Sequence, residues 1–247
     1  MSENQTQPPS SEFTTEFKAE LPDCRPYLIT PRSFDPVPFS ALLAEALDAG
    51  HVNCAQVWMP GAETDDVKRA LEVLVPVCHQ RDVALLVCDH VDLVSETGAD
   101  GVHLGKRPED AEDVSDVVAA RKALGDDMIV GASCYTSRHR ALEAAEKNAD
   151  YVSFGPCFPG TDTSYDEYLS TELLAWWNAY IEVPSVAVAG ITAENCADLV
   201  RAGVDFLAVS GTVWNHPDGP GKAVAEINAA IQQAANQTRK PNGAETA

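Results

Sequence analysis

The sequence predicts an α/β protein with one domain, a closed TIM (β/α)8 barrel of eight parallel strands and eight helices. A pattern of small residue, polar residue and buried strand occurs four times, at AGHVNCAQVWM, TGADGVHLG, KNADYVSFG and AGVDFLAVSG. The polar residues are Asn53, Asp100, Asp150 and Asp205, spaced 47, 50 and 55 residues apart, and each interval accommodates two strand–helix units. The length of 247 residues suits such a barrel. A doubly wound open sheet is disfavoured because no Gly-x-Gly-x-x-Gly turn follows the first strand.

Short apolar runs and helical spacing predict the individual elements. Runs of small and β-branched residues are typical of strands buried on both faces. The predicted strands are Pro26–Thr30, Cys54–Met59, Ala84–Val87, Gly101–Leu104, Met128–Ala132, Tyr151–Phe154, Ser185–Ala189 and Phe206–Val209. Helices are predicted at Phe39–Ala49, Thr64–Gln80, Glu109–Leu124, Arg138–Asn148, Thr171–Tyr180 and Lys222–Gln233. Another helix is predicted to be capped by Thr192, with Asn195 replacing the usual capping-box acid, and to end at Gly203.

Composition limits the classes of partner. The formal net charge is −21, which argues against nucleic acid and anionic membranes as partners. The N-terminus lacks the apolar core of a signal peptide, and no apolar run is long enough to span a bilayer. There are seven cysteines, an odd number. Together these three observations predict a cytoplasmic protein with free thiols. Polar residues 1–22 and 236–247 are predicted disordered tails around a barrel at residues 23–235.

The residues that follow each strand define the candidate site, because chemistry in such barrels lies at that end. Two glycine-bearing strand ends, at Gly190 and at Ser210-Gly211, would place free backbone N–H groups at one mouth. That arrangement suits a phosphate dianion. Two ordinary strand–helix turns are the alternative interpretation.

Seven stretches in order resemble thiamine phosphate synthase and its relative thiazole tautomerase. They are PYLIT, CDHVDLV, TGADGVHLG, GASCYTSRH, NADYVSFGPCFP, VAVAGITAENC and AGVDFLAVSG, and they lie between Arg25 and Ile231. The resemblance implies a TIM barrel that joins hydroxymethylpyrimidine diphosphate to thiazole phosphate. Pyrophosphate would leave first, with Mg²⁺ and basic residues holding its charge, and the thiazole nitrogen would then attack the pyrimidine cation.

The resemblance carries over to some substrate-binding positions and fails at others. Gln56 matches the family, but Trp58 and Pro60 stand where the family has Arg and Lys. Asp89 corresponds to one Mg²⁺ ligand. The second acidic ligand falls near Pro108, so that Glu109 or Asp110 would replace it only if the loop shifts.

The loops after the later strands also match the family at some positions and depart from it at others. Ser133 matches a substrate-binding serine, and Gly190 matches the phosphate-side glycine. The family's Thr-x-Thr-Lys reads Gly160-Thr161-Asp162-Thr163, so the lysine is lost. Thr161 and Thr163 are predicted substrate-binding residues. Ser210-Gly211 lies one place from the family's phosphate-binding serine. No catalytic residue is assigned.

The lost cations predict weak or altered synthase activity. A charge-assisted hydrogen bond contributes roughly 1.5–3 kcal/mol, so three lost contacts would cost about 5–9 kcal/mol, or about 10³–10⁶ in rate. Lys106 and Arg107 in the adjacent loop would restore part of that charge, whereas Asp162 would oppose it. A non-catalytic binder of a thiazole or thiamine phosphate, and a barrel transferase with a less charged electrophile, are the alternatives. Oligomeric state is not predicted.

Several residues have competing interpretations. Asp89 is either a Mg²⁺ ligand or a helix N-cap. Trp58 either stacks a heteroaromatic ring or plugs the barrel. Tyr135 stands where the tautomerase has a histidine, and phenol is a poor base near neutral pH, which disfavours tautomerase activity. His103 is predicted to be a hydrogen-bonded core histidine.

The remaining aromatic and sulfur-bearing residues are predicted to be structural. Cysteines after three strands, near His90, raise the possibility of a soft-metal site, but no Cys-x-x-Cys spacing supports it; they are Cys88, Cys134 and Cys157. Trp176 and Trp177 are adjacent on a helix, so at most one points fully inward. Trp214 is predicted to lie in a turn that closes the barrel.

Overall fold

The structure, a computed structural model, describes residues 23–105, 114–160 and 167–239. Eight parallel strands pair in chain order and β8 pairs with β1, which confirms the TIM barrel. The strands are β1 Arg25–Ile29, β2 Cys54–Val57, β3 Ala84–Cys88, β4 Gly101–Leu104, β5 Ile129–Tyr135, β6 Tyr151–Phe154, β7 Ser185–Val188 and β8 Phe206–Val209.

Helices alternate with the strands around the outside of the barrel. They are α1 Pro36–Asp48, α2 Thr64–His79, α3 Val91–Thr97, α4 Ser115–Leu124, α5 Arg138–Glu146, α6 Thr171–Tyr180, α7 Ala197–Arg201, α8 Gly211–Trp214 and α9 Pro220–Arg239. The first helix begins earlier than predicted because the Asp35 carboxylate caps it, accepting the Val37 N–H at 3.2 Å. Helix α9 continues to Arg239, beyond the predicted tail boundary at residue 236. The predicted tail at residues 1–22 lies outside the described residues.

Two local predictions need correction near the site. Strand β5 continues to Tyr135, so Ser133 lies within the strand rather than after it; the pairing register with β6 shifts between Ser133 and Tyr135. Helix α7 begins at Ala197 rather than after Thr192. The capping-box substitution is nevertheless present, because Asn195 Oδ1 accepts the Thr192 N–H at 2.8 Å, and the intervening residues form a turn.

Three of the four repeated polar residues, the aspartates, bind the amino ends of neighbouring strands. One carboxylate oxygen of Asp100 accepts the Leu85 N–H of β3, and Asp150 accepts the Val130 N–H of β5, each at 2.7 Å. Asp205 does the same for Ser185 of β7, also at 2.7 Å. The sequence repeat therefore has a physical origin: these carboxylates take up amide groups at strand starts, where the ladder leaves them without a partner.

The core has two parts, a large cluster between the sheet and the helices and a smaller cluster inside the barrel. Helices pack on the outside of the sheet, where Trp177 is buried with its ring edge against Phe154 and its Nε1 donating to Val183 O. Trp176 is only partly buried, as predicted for the adjacent pair. Trp214 is the last residue of helix α8 rather than part of a turn, but its role is structural as predicted, because its Nε1 donates to Ile29 O of β1 at 2.6 Å. Among the described helices, none has the length and hydropathy to cross a membrane.

Candidate functional site

Three of the five non-glycine residues with a positive φ among the described residues lie at the carboxyl ends of strands. Asp89, Tyr135 and Ala189 all have positive φ angles there, at 63°, 54° and 75°. Aspartate adopts this conformation fairly readily, but tyrosine and alanine rarely do. Strain of this kind persists where surrounding structure holds a functional geometry, so the predicted mouth is the candidate site.

A hydrogen-bonded network fills the barrel below this mouth. The Tyr27 hydroxyl donates to Gln56 Oε1 at 2.8 Å and lies 2.9 Å from the Tyr151 hydroxyl. His103 Nδ1 lies 2.8 Å from the Tyr151 hydroxyl, and His103 Nε2 lies 2.9 Å from Ser133 Oγ. Two predicted substrate-binding residues, Gln56 and Ser133, are thus joined through three buried side chains.

The direction of the network follows from its first bond. Because Tyr27 donates to Gln56, its oxygen accepts from Tyr151, whose own oxygen then accepts from the Nδ1–H of His103. Nε2 of His103 is left as the acceptor for the Ser133 hydroxyl, provided that the imidazole is neutral. The orientations of the Gln56 amide and the Ser133 hydroxyl are therefore fixed together.

Burial keeps His103 neutral. Desolvation of the imidazole lowers its pKa from 6.5 to about 4, and the Asp89 carboxylate only partly opposes this. The ring is also stacked on Tyr151, with centroids 5.6 Å apart. The prediction of a hydrogen-bonded core histidine is confirmed.

This shift makes fold stability depend on pH. Between pH 6.5 and 4 the unfolded chain binds a proton at His103 that the folded chain does not, so acidification through this window favours unfolding. We expect His103 to account for a loss of up to about 3 kcal/mol in unfolding free energy between pH 7 and pH 4. Denaturant unfolding at several pH values should show a shallower pH slope for His103→Gln than for wild type. The exposed His51→Gln variant is the control, and equal slopes for all three proteins would contradict this assignment.

Asp89 joins the loops after β3 and β4. Its Oδ1 accepts the Gly105 N–H at 2.7 Å, and its Oδ2 accepts the Cys88 thiol at 3.3 Å. The helix-cap alternative is wrong, because His90 occupies the N-cap of α3 and no side chain caps that end. The carboxylate is exposed and keeps lone pairs for a ligand at the mouth.

The last two loops meet at the predicted phosphate end. Gly190 has φ +67°, and an added Cβ would lie 2.5 Å from Phe158 O, so only glycine fits there. Thr212 Oγ1 donates to Ile191 O at 2.9 Å, which ties the start of α8 to the β7 loop. Ser210 Oγ instead donates to Thr30 O at 3.2 Å and links β8 to β1. The predicted glycines therefore belong to adjoining loops.

An adjoining cavity of about 650 Å³ lies between the loops after β1 and β2. Trp58 lies at this part of the rim, where its backbone N–H donates to Thr30 Oγ1 at 3.0 Å. The guanidinium carbon of Arg32 lies over the Trp58 ring, 5.2 Å from its centroid. Neither arginine nor cavity was predicted, because the β1 loop carries no recognisable motif.

Several predicted site residues lie outside the described residues, and the cysteines considered as metal ligands do not form a metal site. Thr161, Thr163, Lys106, Arg107, Glu109 and Asp110 all lie outside the described residues. Within the described ranges, no group of three His, Cys, Asp or Glu side chains is arranged to hold a metal ion. Cys134 and Cys157 are buried thiols, and desolvation raises the pKa of each to about 12, which fits a structural role.

Sequence comparison identifies the family. The family model described as thiamine monophosphate synthase (TMP-TENI) matches residues 26–213, the barrel from β1 to α8. The chain belongs to this family.

Relatives of this thiamine monophosphate synthase family cover nearly the whole barrel. A thiamine-phosphate synthase of Rhodospirillum centenum is 47% identical over 208 residues, which are 84% of this chain and 98% of the relative. One from Hyphomonas neptunium is 42% identical over 90% of this chain and 100% of the relative. The solved thiamine phosphate pyrophosphorylase from Pyrococcus furiosus superposes with a TM-score of 0.72 at 30% identity, covering 85% of this chain and 96% of that one.

Proposed function

We propose that this chain joins hydroxymethylpyrimidine diphosphate to thiazole phosphate and releases pyrophosphate. The observation that carries this proposal is 47% identity to a thiamine-phosphate synthase over 98% of that relative, on a closed barrel. Supporting it, the mouth combines an exposed carboxylate at Asp89 with the glycine turn at Gly190 and the start of α8 at Gly211. We further propose that the reaction takes place in the cytoplasm.

The buried network is suited to a nitrogen heterocycle. Its two ends are an amide at Gln56 and a hydroxyl at Ser133, each held by a neighbour at 2.8 or 2.9 Å. An aminopyrimidine offers ring nitrogens that accept and an amino group that donates, and these pair with such groups. We therefore assign the pyrimidine to the part of the mouth above Gln56 and Ser133, with Trp58 available to stack against it.

The chemistry is a substitution at the pyrimidine methylene carbon. The carbon–oxygen bond breaks with its electron pair leaving on pyrophosphate, and the thiazole nitrogen lone pair forms the new carbon–nitrogen bond. Asp89 is the described residue that would hold Mg²⁺, which requires few protein ligands when substrate phosphates supply the others. When bound, Mg²⁺ would neutralise charge developing on the leaving group. The chain's own residues orient the two rings.

A substitution at Gly211 should weaken phosphate binding without changing the stability of the fold. We expect Gly211→Ala to weaken thiazole phosphate binding about 10-fold, because the methyl group enters the space of the bound phosphate. The unfolding free energy should hardly change, since the added Cβ would meet only Asn215 Nδ2, at 3.5 Å. Calorimetric titration and denaturant unfolding measure the two effects. Unchanged affinity would contradict the placement of the phosphate.

A non-catalytic phosphate binder is the second candidate. It is favoured by Trp58 and Pro60, which place no cation at the end of β2. Calorimetric titration separates the candidates: a binder takes thiazole phosphate but shows no Mg²⁺-dependent binding of the pyrimidine diphosphate. A synthase binds both, and the second only with metal.

A further inference from the structure

We propose that Arg32 binds the diphosphate of the pyrimidine substrate from the cavity between the β1 and β2 loops. This inference deepens the proposed function and rests on it. It assigns a binding role to a residue for which the sequence pattern gave no signal.

The strand ends themselves provide little positive charge. In the described ranges, the residues directly after the eight strands include no Lys or Arg; they are Thr30, Trp58, Asp89, Gly105, Thr136, Gly155, Ala189 and Ser210. With a net charge of −21, the chain as a whole repels a polyanion. A diphosphate must therefore be held by local cations in the loops beyond the strand ends.

Arg32 lies on the Trp58 ring in a position from which it can bind an anion. Its guanidinium lies over the indole of Trp58, an arrangement that orients an exposed arginine while leaving its N–H groups available. No described carboxylate lies within ion-pair distance of it. Arg138, another arginine after a strand, instead lies over Trp176 on the helical layer, 4.2 Å from that ring centroid.

The order of loops around the rim supports the assignment. The phosphate end lies after β7 and β8, Arg32 follows β1, Trp58 follows β2, and Asp89 follows β3. Thr30 joins this arc, since its Oγ1 accepts from Trp58 and its carbonyl accepts from Ser210. Arg32 therefore stands between the proposed thiazole phosphate site and the proposed metal ligand.

The other charged groups of the cavity leave Arg32 as its available cation. Arg69 lies 3.6 Å from Asp35, so its charge is largely offset. Two carboxylates also line the cavity, and both lie at helix N-termini, which favour negative charge: Asp35 caps α1, and Asp66 lies in the first turn of α2. The cavity volume of about 650 Å³ suits a small-molecule substrate.

Binding of inorganic pyrophosphate to the full chain tests the inference. We expect Arg32→Gln to raise the pyrophosphate Kd at least about 10-fold, as for loss of one charge-assisted contact. Inorganic phosphate binding at the β7–β8 end should not change. Arg201→Gln removes the same charge from an exposed arginine at the opposite end of the barrel and is the control. Trp58→Leu, which removes the ring beneath Arg32, should also weaken pyrophosphate binding, whereas Trp58→Phe should largely preserve it.

The outcomes separate this inference from the proposed function. If wild type makes thiamine phosphate and Arg32→Gln binds pyrophosphate as tightly as Arg201→Gln does, the inference is overturned and the function stands. If wild type makes no product but binds pyrophosphate through Arg32, the function fails and the anion site stands. Circular dichroism of each variant verifies folding, which an exposed side chain should not affect.

Discussion

Replacing Asp89 with asparagine is expected to lower kcat/KM for Mg²⁺-dependent coupling at least about 100-fold. If Asp89 holds Mg²⁺ as proposed, the change removes the negative charge that would bind the cation, and stabilisation of the leaving group by the metal would be lost. The amide oxygen of asparagine can still accept the Gly105 N–H, so the loop contact at 2.7 Å is preserved. Steady-state rates at increasing Mg²⁺ concentration measure the effect, and the apparent Mg²⁺ requirement should rise as well.

Asp92→Asn provides the matched control for this experiment. Asp92 is an exposed carboxylate three residues away, in the first turn of α3. It should leave both the rate and the Mg²⁺ dependence unchanged. Equal activity of Asp89→Asn and Asp92→Asn would show that Asp89 only joins two loops.

Replacing Gly190 with valine is expected to reduce the unfolding free energy by about 3–5 kcal/mol. The backbone has φ +67°, which disfavours a β-branched residue, and the new Cβ would lie 2.5 Å from the Phe158 carbonyl oxygen. A backbone atom cannot move aside cheaply, so the loops after β6 and β7 must separate. Thiazole phosphate binding should be lost together with stability.

Gly98→Val distinguishes the two causes of that loss. Gly98 also has a positive φ, +75°, but nothing lies within 4 Å of its Cβ position. Chemical denaturation should therefore show a smaller loss for Gly98→Val, about 1–2 kcal/mol from backbone strain alone. Equal losses in the two variants would mean that contact with Phe158 contributes nothing.

Local patterns predicted the barrel well because each strand is short, apolar and bounded by polar residues. The repeat of Asp100, Asp150 and Asp205 predicted the strand count. Each aspartate accepts a hydrogen bond from the start of a neighbouring strand, which explains why the repeat follows the strands. Short helices were harder to place. Helix α8 has a single turn, too few residues for a periodicity, and was not predicted.

The site was only partly predictable, because its contacts connect distant parts of the chain. Tyr27 and Tyr151 are 124 residues apart and meet only when the barrel closes. The strand pattern placed them in β1 and β6, but it did not predict that their hydroxyls link Gln56 to Ser133. Arg32 was missed for a related reason: its position depends on a ring on the neighbouring loop, and no sequence spacing records that contact.

Arg32 also bears on the predicted weakness of the synthase. The three cations absent by comparison with the family pattern imply a rate loss of about 10³–10⁶, whereas one arginine contributing roughly 1.5–3 kcal/mol would recover about 10–150-fold of it. We therefore expect turnover to be slow but measurable.

The most direct measurement is steady-state formation of thiamine phosphate from hydroxymethylpyrimidine diphosphate and thiazole phosphate with Mg²⁺. Our account predicts product and pyrophosphate in equal amounts, at a turnover below about 1 s⁻¹, the lower end of typical enzymes. Tight binding of thiazole phosphate with no product would contradict the proposed synthase, and turnover of 1 s⁻¹ or more would contradict the predicted cost of the missing cations.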